Sequence, residues 1–174
     1  MEKNILITGK PRTGKSTLIS RLIKLLESKG KRIGGLSTPE IKEKTRLGFK
    51  IIDIGLKKEG ILAHINQKSG PRVSKYRVKM QDLEEIGVNA IKFAISNCDY
   101  IIIDEIGKME LFSKDFCDEI LNALDTKKVL GTIGYKLSHP LANQIKSRDD
   151  VKLIVLTIEN RDKISKYLEK KLIN

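Results

Sequence analysis

The sequence has few of the residues that build disulfide, zinc or membrane proteins. Its 174 residues include four prolines, no tryptophan and only 5% aromatic residues, and its two cysteines are Cys98 and Cys117. Two distant cysteines are too few for a zinc cluster or a redox pair and are typical of a reducing compartment. No apolar run approaches the roughly 20 residues that a membrane-spanning helix needs. These absences favour a cytoplasmic protein without structural metal or membrane association.

Acidic residues are also scarce compared with basic ones. The chain carries 22 acidic and 34 basic residues, which gives a net charge of +12 and a pI near 9.7. Such a surface attracts polyanions, including nucleotides and nucleic acid. The basic residues are spread along the chain without long runs or interleaved aromatics, which favours a solvated lysine-rich surface. Nucleic acid is therefore a candidate partner that charge alone does not establish.

Length and hydrophobic spacing predict one α/β domain over residues 1–174 with a mostly parallel sheet. A motif-bearing loop begins nine residues into the chain, so a signal peptide is not expected. The protein is expected to be a monomer. A period-two pattern around a Gly/Lys turn predicts an inserted β-hairpin near residues 48–65, and residues 66–78 are predicted to form a mobile loop. Strands are predicted at 3–8, 31–37, 100–103, 128–133 and 151–157, and helices at 15–29, 79–96, 114–125, 139–147 and from 160.

The segment GKPRTGKS, residues 9–16, matches the phosphate-loop pattern G-x-x-x-x-G-K-[ST]. An apolar strand precedes it and an amphipathic helix follows, which is the context that the motif requires. Main-chain N–H groups of such a loop and of the helix N-terminus point at one anion. Lys15 is expected to reach the β- and γ-phosphates, Ser16 to bind Mg²⁺ and Thr17 to lie near the α-phosphate.

A second candidate group follows the apolar strand at 100–103, where Asp104 and Glu105 stand side by side. The carboxyl ends of parallel strands share one edge of the sheet, so this pair is expected to face the phosphate loop. Asp104 is then a partner of Mg²⁺. Glu105 can polarise a water molecule in line with the γ-phosphate, which makes hydrolysis the expected reaction.

Residues 104–107 also match the D-x-x-G segment of regulatory GTPases, in which the Gly107 N–H would sense the γ-phosphate. Those proteins recognise guanine with an Asn-Lys-x-Asp segment late in the chain, and the sequence has none; residues 160–162 do not supply it. Loose base selection is therefore expected. The candidate nucleotide-binding residues are Gly9, Lys10, Pro11, Arg12, Thr13, Gly14, Lys15, Ser16, Thr17, Ile103, Asp104, Glu105, Ile106 and Gly107, with Lys15 and Glu105 catalytic and Ser16 and Asp104 metal ligands.

Residues 104–111, DEIGKMEL, are similar to the signature of a small nucleoside-triphosphatase family first described in thermophiles, whose animal members are called cancer-related nucleoside-triphosphatases. The resemblance continues through residues 38–40, 48–53, 84–88, 131–133 and 138–140. It implies a three-layer P-loop fold of the RecA type, in which another strand separates the phosphate-loop strand from the Asp-Glu strand. It also implies slow Mg²⁺-dependent release of the γ-phosphate from ATP, GTP and other nucleoside triphosphates. Lys108 and Glu110 would be nearby polar groups without an assigned role.

The phosphate loop departs from the family pattern Gly-Pro-Pro-Gly-x-Gly-Lys-Thr at Lys10, Arg12 and Ser16. Arg12 in place of glycine restricts the backbone and adds a cation, which either touches the nucleotide or faces water. Two other functions use the same loop: a small-molecule or nucleotide kinase and a nucleotide-gated nucleic-acid-binding module. Tyr76 is a candidate for stacking on the base, and His139 for sensing the γ-phosphate, although a position at the surface or at the start of a helix is favoured for that histidine.

Overall fold

The computed structural model describes residues 3–173, which form a ten-stranded sheet with helices against both faces. Its order is β10-β1-β9-β8-β2-β4-β5-β7-β6, and β3 pairs with β4. The strands are β1 (Asn4–Thr8), β2 (Ile33–Ser37), β3 (Glu40–Lys42), β4 (Arg46–Asp53), β5 (Glu59–His64), β6 (Arg72–Val73), β7 (Tyr76–Val78), β8 (Tyr100–Ile106), β9 (Val129–Ile133) and β10 (Val151–Val155). The helices are α1 (Lys15–Ser28), α2 (Met80–Asp82), α3 (Asn89–Asn97), α4 (Lys114–Asp125), α5 (Pro140–Lys146) and α6 (Arg161–Ile173).

The first part of the sheet is parallel and confirms the predicted fold class. Strands β10, β1, β9, β8 and β2 pair in parallel, and β9 lies between β1 and β8. Three apolar residues of β1 are fully buried because both faces of the strand are covered. Ile5 and Ile7 face the cluster that includes α1 and α6, whereas Leu6 faces the cluster that includes α3, α4 and α5.

The second part of the sheet is antiparallel and includes the predicted hairpin. Strands β4 and β5 pair antiparallel, and β4 joins the parallel part through β2. The prediction of a loop over residues 66–78 is wrong for its second half, where β6 and β7 form another hairpin against β5. Tyr76 and Val78 are buried there, because pairing with β5 turns one side of this short basic segment towards the core.

The helices agree with the hydrophobic spacing to within a few residues. The predicted helix at 79–96 is observed as α2, a π-helical turn over Leu83–Val88 and α3 in direct succession. His139 is the N-cap of α5, where its Nδ1 accepts the Leu141 N–H at 3.2 Å, which agrees with the favoured position at the start of a helix. Within residues 3–173, no helix combines the length and the hydropathy needed to cross a bilayer.

Candidate active site

The phosphate loop connects β1 to α1 and lies directly on the chain that follows β10. A Cβ atom at Gly9 would lie 2.3 Å from the carbonyl oxygen of Leu156, so only glycine allows this approach. The Leu156 N–H in turn donates to the Thr8 carbonyl at 2.7 Å. These contacts fix the start of the loop on the end of the neighbouring strand.

Side chains of the loop hold it together from within. Lys15 Nζ donates to the carbonyl oxygens of Gly9 and Lys10 at 3.0 and 3.1 Å, and the Thr13 hydroxyl donates to Lys10 at 3.0 Å. Ser16 and Thr17 lie in the first turn of α1, and both are exposed. The ammonium group of Lys15 is thereby kept over the loop, and the two hydroxyl-bearing residues stay accessible to a ligand.

Arg12 occupies the left-handed backbone region with a φ of 65°. This is the position at which the family pattern has glycine, and a side chain in that conformation costs roughly 1–2 kcal/mol. Its side chain is exposed and lines the same cleft as the loop. The loop therefore keeps the glycine-like backbone and adds a cation to the cleft.

Asp104 is buried and held by the two neighbouring strands. β8 extends through the acidic pair instead of ending before it, so Asp104 faces β9, where the Thr132 hydroxyl donates to its Oδ1 at 2.6 Å. The N–H and hydroxyl groups of Thr38, just after β2, both donate to the Asp104 carbonyl, at 2.7 and 3.0 Å. Sequence reasoning missed Thr132, whose signal is a hydroxyl group in an otherwise apolar strand.

Glu105 is half-buried at the end of β8 and lies near the glycines of two adjoining loops. Its Oε1 would be 3.5 Å from a Cβ atom at Gly107 and 3.6 Å from one at Gly134. Burial raises the pKa of Glu105, the negative charge of Asp104 raises it further, and the positive charge of Lys15 opposes both. The carboxyl group is therefore more basic than an ordinary glutamate.

Glu110 is the most deeply buried carboxyl group beside the site, with 4% of its surface exposed. Burial raises the pKa of Glu110 to about 8. Its Oε2 accepts the Gly107 N–H at 3.1 Å, which is the group that the D-x-x-G pattern would offer to a γ-phosphate. The sequence placed Glu110 near the site but gave no sign of its burial.

The phosphate loop and the acidic pair line one cleft of about 1870 Å³, and the antiparallel part of the sheet forms its opposite wall. Ile103 and Ile106 are instead fully buried in the core, and Thr13 lines a separate small pocket. The predicted site residues that line the cleft are Gly9, Lys10, Pro11, Arg12, Gly14, Lys15, Ser16, Thr17, Asp104, Glu105 and Gly107.

The opposite wall of the cleft contains Tyr76, the residue that the sequence suggested for stacking on a base. The Arg46 guanidinium lies over the rings of Phe49 and Tyr76, at 5.2 and 5.9 Å from their centroids, and its Nε donates to the Tyr76 hydroxyl at 3.0 Å. Only 5% of the surface of Tyr76 is exposed. Tyr76 therefore belongs to the core of the antiparallel part, and its ring is not free to stack on a base.

Comparison with known proteins finds similarity over nearly the whole chain. A protein family described as NTPase matches residues 4–168. The nucleoside-triphosphatase THEP1 of Thermofilum pendens is 42% identical over 173 residues, which cover 98% of this chain and 95% of that protein. The nucleoside-triphosphatase THEP1 of Thermotoga maritima is 45% identical over 162 residues, covering 92% and 90%.

Two solved structures share the fold. The crystal structure of THEP1 from the hyperthermophile Aquifex aeolicus has a TM-score of 0.86 and 35% identity, and the match covers 98% of this chain and 99% of that one. The solution structure of a human cancer-related nucleoside triphosphatase has a TM-score of 0.79 and 30% identity, covering 98% and 97%. At this coverage, both matches extend over the parallel and the antiparallel parts of the sheet.

Proposed function

This chain belongs to the nucleoside-triphosphatase family and is a hydrolase, and on that premise we propose that it releases the γ-phosphate of ATP, GTP and other nucleoside triphosphates in a Mg²⁺-dependent reaction. The observation that carries the proposal is the shared cleft, which the phosphate loop and the Asp104-Glu105 pair line together. In this assignment the loop binds the phosphates, Lys15 contacts the β- and γ-phosphates, and Glu105 activates water.

Ser16 and Asp104 are the residues that would hold the magnesium ion. Hydroxyl and carboxylate oxygens suit Mg²⁺, which is bound through one or two carboxylates together with substrate phosphates and water. Within residues 3–173, no group of three or more His, Cys, Asp or Glu side chains could hold a metal by itself, which fits an ion that arrives with the nucleotide. The ion would neutralise charge on the β- and γ-phosphates.

Glu105 suits the role of general base because its pKa is raised towards neutral pH, where a base is most effective. The Glu105 carboxylate accepts a proton from water while the water oxygen bonds to the γ-phosphorus. The bond from that phosphorus to the bridging oxygen breaks, and its electron pair stays on the nucleoside diphosphate. Lys15 stabilises the charge that develops on the phosphates.

Substitution of Glu105 by Gln tests the proposed base. We expect phosphate release from ATP to fall by at least about a hundredfold, because the amide cannot accept the proton. Glu27→Gln, an exposed change in α1, is the matched control and should keep the wild-type rate. Phosphate release should also stop when EDTA removes the metal. An unchanged rate in Glu105→Gln would remove this residue as the base.

The size of the cleft favours a second candidate, transfer of the γ-phosphate to a small acceptor. The cleft extends beyond the phosphate loop to a wall that carries Lys42, Lys44 and Lys75, where an anionic acceptor has room to bind. The two reactions differ in product. Hydrolysis releases one inorganic phosphate for each nucleoside diphosphate, whereas a kinase forms a phosphorylated acceptor and releases less phosphate than diphosphate.

A further inference from the structure

A second pocket of about 270 Å³ adjoins the phosphate loop at the end of β10. We name it the Tyr135 pocket; it is lined by Lys10, Thr13, Tyr135 and residues 155–159. Lys10 and Tyr135 line both this pocket and the large cleft, so the pocket lies next to the proposed phosphate site. Its volume is just below the range of about 300–1,000 Å³ typical of sites for drug-sized ligands, which suits one part of a nucleotide.

The Tyr135 pocket presents exposed apolar side chains next to a polar loop. Tyr135, Val155 and Ile158 are 42%, 48% and 62% exposed. Phe112 and Tyr167 are also exposed aromatic residues, but neither lines the cleft or the pocket among the described residues. A solvent-exposed aromatic ring beside aliphatic groups is a surface on which a flat heterocycle stacks.

The hydroxyl groups of Thr13 and Thr157 in the Tyr135 pocket are engaged within the protein. The Thr13 hydroxyl donates to the Lys10 carbonyl. The Thr157 N–H donates to Asn160 Oδ1 at 2.8 Å, and the Thr157 hydroxyl accepts the Asn160 N–H at 3.2 Å. A hydrogen bond from Thr157 also lowers the pKa of Glu159. A base in this pocket would therefore be held mainly by its faces, which are similar in all bases.

We propose that the Tyr135 pocket binds the nucleobase of the substrate by stacking on Tyr135 and packing against Val155 and Ile158. This inference rests on the proposed function, since it places the base of the same nucleotide whose phosphates occupy the loop. The contact of Gly9 with the Leu156 carbonyl holds pocket and loop in a fixed relation. Recognition through the ring faces would allow different bases to bind, because their hydrogen-bonding edges would make no specific contact.

The test compares ligands that have a base with one that has none. Binding of the non-hydrolysable analogues AMP-PNP and GMP-PNP and of inorganic tripolyphosphate, each with Mg²⁺, is measured by calorimetry. In Tyr135→Ala we expect about tenfold weaker binding of both nucleotides, with the affinity for tripolyphosphate unchanged. Tyr135→Phe keeps the ring and should bind like the wild type. Tyr167→Ala removes a similarly exposed aromatic side chain on α6, and it should leave all three affinities unchanged.

The possible results of this test distinguish failure of the proposed base site from failure of the proposed function. Unchanged nucleotide binding in Tyr135→Ala, or equal weakening for nucleotides and tripolyphosphate, would overturn the base site while hydrolysis by the wild type still stood. A wild-type protein that bound neither nucleotides nor tripolyphosphate would overturn both. Weakening in Tyr135→Phe as large as in Tyr135→Ala would also contradict stacking, because the ring is retained.

Discussion

Glu105 and Glu110 lie on either side of Gly107 but in different surroundings. A Cβ atom at Gly107 would lie 3.5 Å from Glu105 Oε1 and 2.9 Å from Glu110 Oε2. Glu105 is half-buried beside the cleft, whereas Glu110 is enclosed and its pKa of about 8 favours the neutral form at neutral pH. Neighbouring carboxyl groups in different surroundings can take different roles, and here the half-buried Glu105 is the one proposed as the base.

Glu110 also makes the stability of the fold depend on pH. Its pKa is about 8 in the folded chain against 4.5 for the ordinary group, so the folded state binds the proton more tightly. Its contribution to the free energy of unfolding is complete below pH 4.5 and is lost as pH rises towards 8, by at most about 1.4 kcal/mol per pH unit. In Glu110→Gln this loss should be absent, which urea unfolding at about pH 5.5, 6.5 and 7.5 would measure.

Glu27→Gln again serves as the control for the pH dependence, since Glu27 is exposed. It should follow the wild-type curve over the whole range. A parallel pH dependence in the wild type and in Glu110→Gln would contradict the assignment of a buried, neutral carboxyl group.

At the scale of single elements, the phosphate loop depends on how closely it approaches the end of β10. Gly9→Ala would place a methyl group 2.3 Å from a main-chain oxygen, so the loop would have to shift away from Leu156. We expect weaker tripolyphosphate binding and lower thermal stability. Gly30→Ala is the matched control, because Gly30 also has a positive φ but no atom within 4 Å of the added group; it should cost stability alone, about 1 kcal/mol.

The hydrogen bond from Thr132 on β9 to Asp104 on β8 orients Asp104, the proposed metal ligand. Thr132→Val keeps the shape of the side chain but removes the hydroxyl that donates to Asp104. We expect the Mg²⁺ concentration needed for half-maximal phosphate release to rise by about tenfold or more, as for other residues that orient metal ligands. Thr132→Ser should restore much of the wild-type requirement. An unchanged magnesium titration in Thr132→Val would show that this hydrogen bond does not support metal binding.

The elements that the sequence predicted are those whose signal is local. The apolar runs of β1 and β8, the spacing of α1 and the phosphate-loop pattern are each contained in a short segment. By contrast, β6 and β7 are short and basic, and their register depends on β5, where Ala63 pairs with Val78. The burial of Glu110 and the contact between Thr132 and Asp104 also depend on packing between distant segments. The hydroxyl group in the apolar strand β9 indicates a buried polar contact but does not identify its partner.

For the molecule as a whole, the net charge of +12 predicts weak, non-specific attraction to nucleic acid. We expect an RNA oligonucleotide to bind at about 50 mM salt and to lose most of its affinity by about 200 mM, because such binding releases counterions. Phosphate release should not respond to RNA. Fluorescence anisotropy over a salt series, with parallel phosphate assays, measures both. Tight binding at the higher salt concentration together with faster hydrolysis would instead support a nucleotide-gated nucleic-acid-binding module.

The end position of β10 in the sheet has a consequence for behaviour at high temperature or concentration. Within residues 3–173, β10 pairs with β1 alone, so its other side offers main-chain groups on which a foreign strand can assemble. Leu153 and Val155 add exposed apolar surface there. Lys152 lies on the opposite face of β10, with its ammonium 4.5 Å from the Tyr167 ring centroid, and a charge in such a strand discourages aggregation. We therefore expect Lys152 to limit association at this edge.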